Sequence, residues 1–437
     1  MTFSPRLPAA TAPTREQLQI PPTDVGLPGA GPIRRYDWFR NLWADRRVRW
    51  AARVEQDRNS VVLLGDSITQ GWGEDFSAWF PGVHIANRGI SGDTSRGVLI
   101  RMEQDVLALE PKAVVLLIGT NDLEEKATPE TIAGNLKLIL EVLHAHNASM
   151  PVILCQVFPS SASKSRPAEQ IKKTNQLYAD AVRGNPQVIL LETWLLFADA
   201  KGDAIPAEFP DLLHPNLAGY AKWAAALRPV LSTLGLLPGD PYSFTPEPGF
   251  VSLFNGTDLI GWGLRPTSES EREFARSWKA RDPNAPPWPI VTEAVSFDGK
   301  TTSADGRYVA KDGVLVVTTP SEGRRIQQLY TTRDFPRDFT LRLEFRATPN
   351  ADSGVFLRGN QLQCRDYPLA GPYKALKNYR PGDWNELEVT VRDNVAFCLC
   401  NGEVLESAMK LPATGPIGLE GDRGQLEYRR IRIREAP

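Results

Sequence analysis

The stretch VVLLGDSITQGW, residues 61–72, decides how the first half of this chain is read. Four apolar residues run without interruption from Val61 to Leu64 and stop at Gly65. A short continuous apolar run of this kind suits a strand covered on both faces, the usual condition in a parallel sheet. Immediately beyond it stand a carboxylate, Asp66, and a hydroxyl, Ser67, on a segment able to open a helix. A serine at the exit of a buried strand is either an ordinary turn residue or a nucleophile held at the lip of a sheet. The flanking sequence chooses between them.

Four more runs have the same character: 83–87 (VHIAN), 113–118 (AVVLLI), 152–158 (VILCQVF) and 187–191 (QVILL). Helical stretches alternate with them at 42–57, 94–109, 129–147, 167–183 and 215–233. Thr128-Pro129-Glu130 reads as an N-cap, a first-turn proline and a first-turn acid. Five such units close most naturally into a doubly wound α/β sheet with five parallel strands. Residues 1–34, rich in proline and glycine, read as an extended arm ahead of a domain at 35–236. Residues 237–249 (LPGDPYSFTPEPG) read as a linker. From 250 to 437 the period changes to two, in runs such as FTLRLEFRA (339–347) and LEYRRIRIRE (426–435), punctuated by NG, DG and PG turns. That is the pattern of an all-β sandwich. The charged, proline-rich 265–300 reads as a long loop or insertion.

With 437 residues, two domains are expected. A net charge of -2 gives no electrostatic reason to expect nucleic acid or an anionic membrane as partner. No apolar run approaches the roughly 20 residues of a membrane span. The start, MTFSPRLPAATAPT, lacks the apolar centre of a secretory signal, and the sequence leaves the compartment open. Cysteines 155, 364, 398 and 400 have no zinc or redox spacing and read as buried thiols, with a bridge from Cys364 conceivable in an exported protein.

In open α/β sheets the active crevice lies beyond the carboxyl ends of the strands. There the chain places Gly65-Asp66-Ser67, then NRGISGDT (87–94), GTND (119–122) and, before the last helix, DLLHPN (211–216). Acyl transfer needs these residue types. A hydroxyl needs a base, and imidazole has the right pKa near neutrality. Asp211, three residues before His214, is placed to fix the imidazole's tautomer. The backbone N–H groups of Ser67 and Gly89 and the Asn121 amide can meet the oxyanion, each such donor being worth about 3 kcal/mol of barrier. Asp66, Asp93 and Asp122 read as helix-end or loop ties, and His84, His144 and His146 as non-catalytic.

These four blocks resemble the SGNH (GDSL-type) hydrolase superfamily over roughly residues 40–235. The resemblance implies a flavodoxin-like three-layer fold and no metal or cofactor. It also implies Ser67 as nucleophile, Ser67, Gly89 and Asn121 as oxyanion donors, His214 as base and Asp211 as its orienting acid. Residues 250–437 resemble the 3-keto-disaccharide hydrolase domain family, a concanavalin/laminin-G-like jelly roll, through FVSLFNGTDLIGW, ADSGVFLRG, GDWNELEVTVRDN, NGEVLE and GPIGLEGDRGQLEYRRIRI. This half holds no histidine, so a glycosidase here would rest on carboxylates or tyrosines such as Glu344, Asp352, Asp366 and Tyr367. Arg365, Asp366, Tyr367, Tyr373 and Trp384 are candidate sugar contacts, because aromatic and arginine side chains stack on sugars and bond their hydroxyls. The combined expectation is a serine esterase that removes short acyl groups, O-acetyl foremost, from carbohydrate, with the sandwich as a sugar-binding or active-site-shaping accessory. Its rivals are a glycoside hydrolase centred on the sandwich, a non-catalytic carbohydrate-binding protein, and a lysophospholipase- or thioesterase-type hydrolase.

Overall fold

A computed structural model describes residues 13–238, 244–283 and 285–436. Parallel strands Val61–Gly65 (β1), Ile85–Gly89 (β2), Ala113–Leu117 (β3), Val152–Cys155 (β4) and Val188–Leu191 (β5) form one sheet in the order β2-β1-β3-β4-β5. This is the flavodoxin-like order, whose direction reverses between β1 and β3 and opens a crevice at their carboxyl ends. Every residue of β1 and β3 is buried, which accounts for their unbroken apolar runs. The helices are Asp37–Ala51 (α1), Val54–Asp57 (α2), Ser67–Gly71 (α3), Ser95–Asp105 (α4), Thr120–Glu124 (α5), Pro129–His146 (α6), Ala168–Val182 (α7), Thr193–Phe197 (α8) and Leu217–Thr233 (α9). Thr128 caps α6, accepting from the Thr131 N–H at 3.2 Å, with Pro129 in its first turn.

The chain partitions into two compact units. The first comprises the residues up to Ala78, Val83–Ala181 and Ala198–Asn216, and the second Trp79–Gly82, Val182–Phe197 and the chain from Leu217. In the first, a buried arginine network braces the site's edge of the sheet. Arg101 donates to the Gly65 and Arg88 carbonyls at 3.2 and 2.8 Å and to Asp93 at 2.8 Å. Arg88 donates to Asp57 at 2.8 Å, and Arg47 to Asp105 at 2.9 Å. Trp50 takes the Arg88 and Arg101 guanidiniums over its ring at 5.0 and 5.6 Å. Buried charges persist only when paired in this way, and removing one partner of such a pair costs about 3–5 kcal/mol.

Three expectations change here. The arm is not simply extended: between residues 13 and 34 it turns repeatedly and buries Leu18, Ile20 and Ile33, the last two against Phe39, Trp43 and Ile90. Its first twelve residues, and 239–243 of the linker, lie outside the described residues. The 42–57 helix begins earlier and breaks into α1 and α2. The 265–300 insertion carries a 13-residue helix, Glu269–Arg281 (α10), closed by a capping box between Ser268 and Glu271. The S-x-x-E spacing from Ser268 to Glu271 supplies that box.

Residues of the second half form antiparallel strands: Val251–Ser252 (β6), Trp262–Leu264 (β7), Val295–Ser296 (β8), Tyr308–Lys311 (β9), Val314–Val317 (β10), Gln327–Thr331 (β11), Phe339–Ala347 (β12), Gly354–Leu357 (β13), Asn360–Gln363 (β14), Asn385–Arg392 (β15), Val395–Cys400 (β16), Glu403–Lys410 (β17), Ile417–Gly421 (β18) and Leu426–Glu435 (β19). They build an eight-stranded sheet, ordered β17-β16-β15-β12-β19-β10-β9 with β6 on β19, and a six-stranded sheet, β14-β13-β18-β11-β7-β8. Strict alternation of burial along β12 shows why its period is two. Inward residues such as Leu341, Leu343, Phe345, Val355, Leu387 and Leu419 form one core. All four cysteines are buried and unbridged.

Candidate active site

β1 ends at Gly65, and Asp66 caps α3 by accepting the Ile68 N–H at 2.9 Å. Ser67 is therefore the first helical residue, half-buried at the carboxyl edge of the sheet. Its Oγ lies 3.0 Å from Nε2 of His214. Nδ1 of His214 lies 2.7 Å from Oδ2 of Asp211, whose Oδ1 accepts the backbone N–H groups of Leu213 and His214 at 3.0 and 2.7 Å. Burial tends to raise the Asp211 pKa, but these hydrogen bonds overcome it and hold the carboxyl down at about 2. The turn requires Leu212 at φ +62°, a costly conformation for a side chain with a Cβ. It is held because the Leu212 N–H donates to the Phe209 carbonyl at 2.8 Å and its carbonyl accepts Ser160 Oγ at 2.8 Å. A serine, an imidazole and a carboxylate in this series can pass the hydroxyl proton to the imidazole while the acid fixes its tautomer.

Beyond β3, Gly119 at φ +125° opens α5 and delivers Asn121, which is buried. Its Oδ1 accepts from Arg166 at 3.0 Å and its Nδ2 donates to the Asp93 carbonyl at 2.9 Å, so the amide has one orientation. One Nδ2 hydrogen is left over for a ligand. Arg166, itself buried, also donates to the Thr120 carbonyl and to Glu124, at 3.1 and 2.8 Å. Sequence reasoning missed this residue, because a single arginine before a proline carries no signal of the contact. Asp122 accepts both the Ser95 N–H (2.9 Å) and Oγ (2.6 Å). Burial pushes the carboxyls of Asp66 and Asp93 up to about 7 and that of Asp122 to about 6.

The glycine loop departs from expectation. The Gly89 N–H is already donated to Asn87 Oδ1 at 2.9 Å, so it is not free to meet an oxyanion. Gly89 is required for packing instead: a Cβ there would lie 2.3 Å from the Gln70 nitrogen. Three residues on, Gly92 is buried at φ +88°. No hydrogen bond among the described residues uses the N–H of Gly92 or of Ser67. Its neighbours are tied to both sides of the site, since Ser91 N–H donates to Gln70 Oε1 at 2.8 Å and the Asp93 carbonyl receives Asn121.

The candidate sugar contacts of the sandwich are not gathered on one open surface. Tyr367 is fully buried, enclosed by Phe345, Tyr373 and Tyr379, so its ring serves the core. Asp366 is buried and accepts the Asn350 N–H at 2.9 Å. Arg365 pairs with Asp352 at 2.8 Å, and Tyr373 donates to Glu406 at 2.6 Å. Trp384 lies under the guanidiniums of Arg346 and Arg429 at 4.7 and 4.0 Å. Glu344 pairs with Arg429 and Arg430. In the first unit, His144 and His146 occupy the last turn of α6. Among the described residues no group of three or more His, Cys, Asp or Glu side chains is arranged to hold a metal ion, and no helix is long and apolar enough to cross a membrane.

Comparison with known proteins matches residues 63–222 to the GDSL-like Lipase/Acylhydrolase family and residues 249–434 to the 3-keto-alpha-glucoside-1,2-lyase-like domain. Among curated relatives, platelet-activating factor acetylhydrolase IB subunit alpha1 of Pongo abelii is 29% identical over 199 residues, covering 44% of this chain and 84% of the relative. Subunit alpha2 of Homo sapiens is 28% identical over 196 residues, covering 44% and 84%. Among solved structures, the lipase/acylhydrolase from Enterococcus faecalis is 24% identical, with a TM-score of 0.35 over 43% of this chain and all of its own.

Proposed function

We propose that this chain, which carries a GDSL-like acylhydrolase domain and a 3-keto-alpha-glucoside-1,2-lyase-like domain, is a serine esterase that removes short acyl groups, acetyl above all, from carbohydrate. Family membership supports ester-bond hydrolysis. The observation that carries the finer reading is the hydrogen-bonded series Ser67–His214–Asp211 at the carboxyl edge of the sheet. In this reading Ser67 Oγ attacks the acyl carbon while its proton passes to His214 Nε2. The imidazolium, steadied by Asp211, then protonates the departing sugar oxygen. Water, deprotonated by the same imidazole, attacks the acyl-serine, and the proton returns to Ser67 as the carboxylic acid leaves. The N–H groups of Ser67 and Gly92 and the Asn121 amide are the proposed oxyanion donors, Gly92 replacing Gly89 because its N–H is unengaged.

Relatives named for acetyl hydrolysis favour acetyl as the acyl group. Carbohydrate as the alcohol rests on the family of the second domain, an association rather than a site argument. The same reading assigns the hydrolase domain to 35–236 and the linker to 237–249. It assigns the sandwich to 250–437, as a sugar-binding or site-shaping accessory. Acetate release from acetylated oligosaccharides by the wild type and by Ser67→Ala tests it. Release by the wild type alone is expected; equal release by both would overturn it.

A further inference from the structure

We propose that Tyr36 and Trp38 form the platform on which the sugar ring of the substrate stacks beside the acyl-transfer site. This inference rests on the carbohydrate-esterase reading and gives its substrate a place to bind. The two side chains are 52% and 53% exposed, an unusual state for large aromatics so close to buried machinery. Their rings lie nearly parallel, at 11° with centroids 6.4 Å apart. The backbone fixes them: Tyr36 is the extended N-cap residue of α1, and Trp38 stands in its first turn, edge-on to the buried Phe39 at 5.6 Å.

The platform walls a cleft of about 510 Å³, completed by Arg34, Glu124, Glu125 and Lys126. Two separate contacts tie this cleft to the catalytic edge. A Cβ placed on Gly92 would lie 2.7 Å from the Trp38 ring, so Trp38 abuts the loop whose N–H is unengaged. Glu124 accepts from Arg166, which in turn donates to Asn121.

The chemistry of the walls selects the ligand. Glu124 and Glu125 are both bound by Arg34, and Glu125 also receives the Tyr36 hydroxyl at 3.3 Å. Neither carboxylate is free to balance a cationic headgroup, and Lys126 at the rim repels one. Two nearly parallel stacked rings offer a flat aromatic face rather than the cage that encloses a quaternary ammonium. A flat aromatic bed rimmed with donors and acceptors fits the apolar C–H face of a neutral pyranose and the hydroxyls around it.

The test compares full-length wild type, Trp38→Ala, Tyr36→Ala and Trp38→Phe on acetylated xylooligosaccharides, p-nitrophenyl acetate and an sn-2-acetyl glycerophosphocholine. Loss of one stacked ring is expected to raise KM for the sugar ester roughly tenfold with little change in kcat. The preference for sugar ester over p-nitrophenyl acetate should fall by a similar factor, and Trp38→Phe should recover most of it. Equal losses on both esters would show that Trp38 merely supports the Gly92 loop, and overturn the proposal. Preference for the phosphocholine ester, lost in the same variants, would also overturn it. A readout without turnover uses Ser67→Ala protein and unacetylated xylotetraose. Saturation transfer from the aromatic protons, lost on adding Trp38→Ala, is expected; its absence at tens of millimolar sugar would reject the platform while leaving the esterase reading to stand on Ser67→Ala kinetics.

Discussion

Asp211 and Glu420 are both carboxyls set among hydrogen-bond donors, yet the protein drives them in opposite directions. Asp211, on an exposed turn, collects two backbone N–H groups and an imidazole, which hold it at about 2 despite the pull of burial. Glu420, in the middle of β18 and 5% exposed, is pushed up to about 8, first by burial and then by Asp422 and Asp352, against the partial offset of Arg365. Its acceptance from the Gln361 amide does not compensate. Donors directed at an ion on a wet turn keep it charged, whereas burial beside other acids drives a carboxyl toward its neutral form. A turn-borne acid can thus serve an imidazole, while a strand-borne one holds its proton.

That contrast is open to attack at several points. The largest effect is expected from Ser67→Ala or His214→Ala, each lowering kcat for p-nitrophenyl acetate by about 10⁴-fold or more, with no further loss in the double variant because the two act as one unit. Asp211→Asn should lower kcat by about a hundredfold, less than for a fully buried triad acid because water screens the exposed pair. Asn121→Ala is expected to cost about a hundredfold, the worth of one oxyanion donor. A steady-state rate assay distinguishes all three.

Smaller effects appear as pH dependence. Asp211 has its folded pKa depressed, so its stabilising contribution is complete above about pH 4 and is lost as pH falls toward 2. It stays ionised from neutral pH down to about pH 4, so the orienting carboxylate is in place over that whole range. Glu420 has its folded pKa raised, so its contribution is complete below the ordinary glutamate range and declines as pH rises through about 8. Thermal melts from pH 6 to 9 should therefore show wild type losing stability that Glu420→Gln retains. Parallel curves would remove the contrast.

The legibility of the site follows how its residues are delivered. Ser67 and Asn121 each sit within four residues of a buried strand's end, so a hydrophobic run points straight at them. Asp211 and His214 share one turn, where spacing alone puts acid beside base. Gly89 ends β2 and Gly92 stands in the loop just beyond it, and choosing between them depends on Asn87 folding back onto the Gly89 N–H, which no spacing reveals. Arg166 reaches Asn121 across 45 positions, and Trp38 reaches Gly92 from the first turn of α1, so their roles exist only in the packed chain. In the sandwich, alternation exposed the strands but not which outward polar residues would be enclosed. Tyr367, a candidate sugar contact by residue type, is core.

The central claim, that His214 activates Ser67 as the nucleophile, is tested most directly by covalent trapping. Diethyl p-nitrophenyl phosphate should add one diethylphosphoryl group per chain, located by mass spectrometry on the peptide bearing Ser67, with ester hydrolysis lost in step and labelling slowed in His214→Ala. An adduct on a different residue, or complete inactivation with the Ser67 peptide unmodified, would contradict the account.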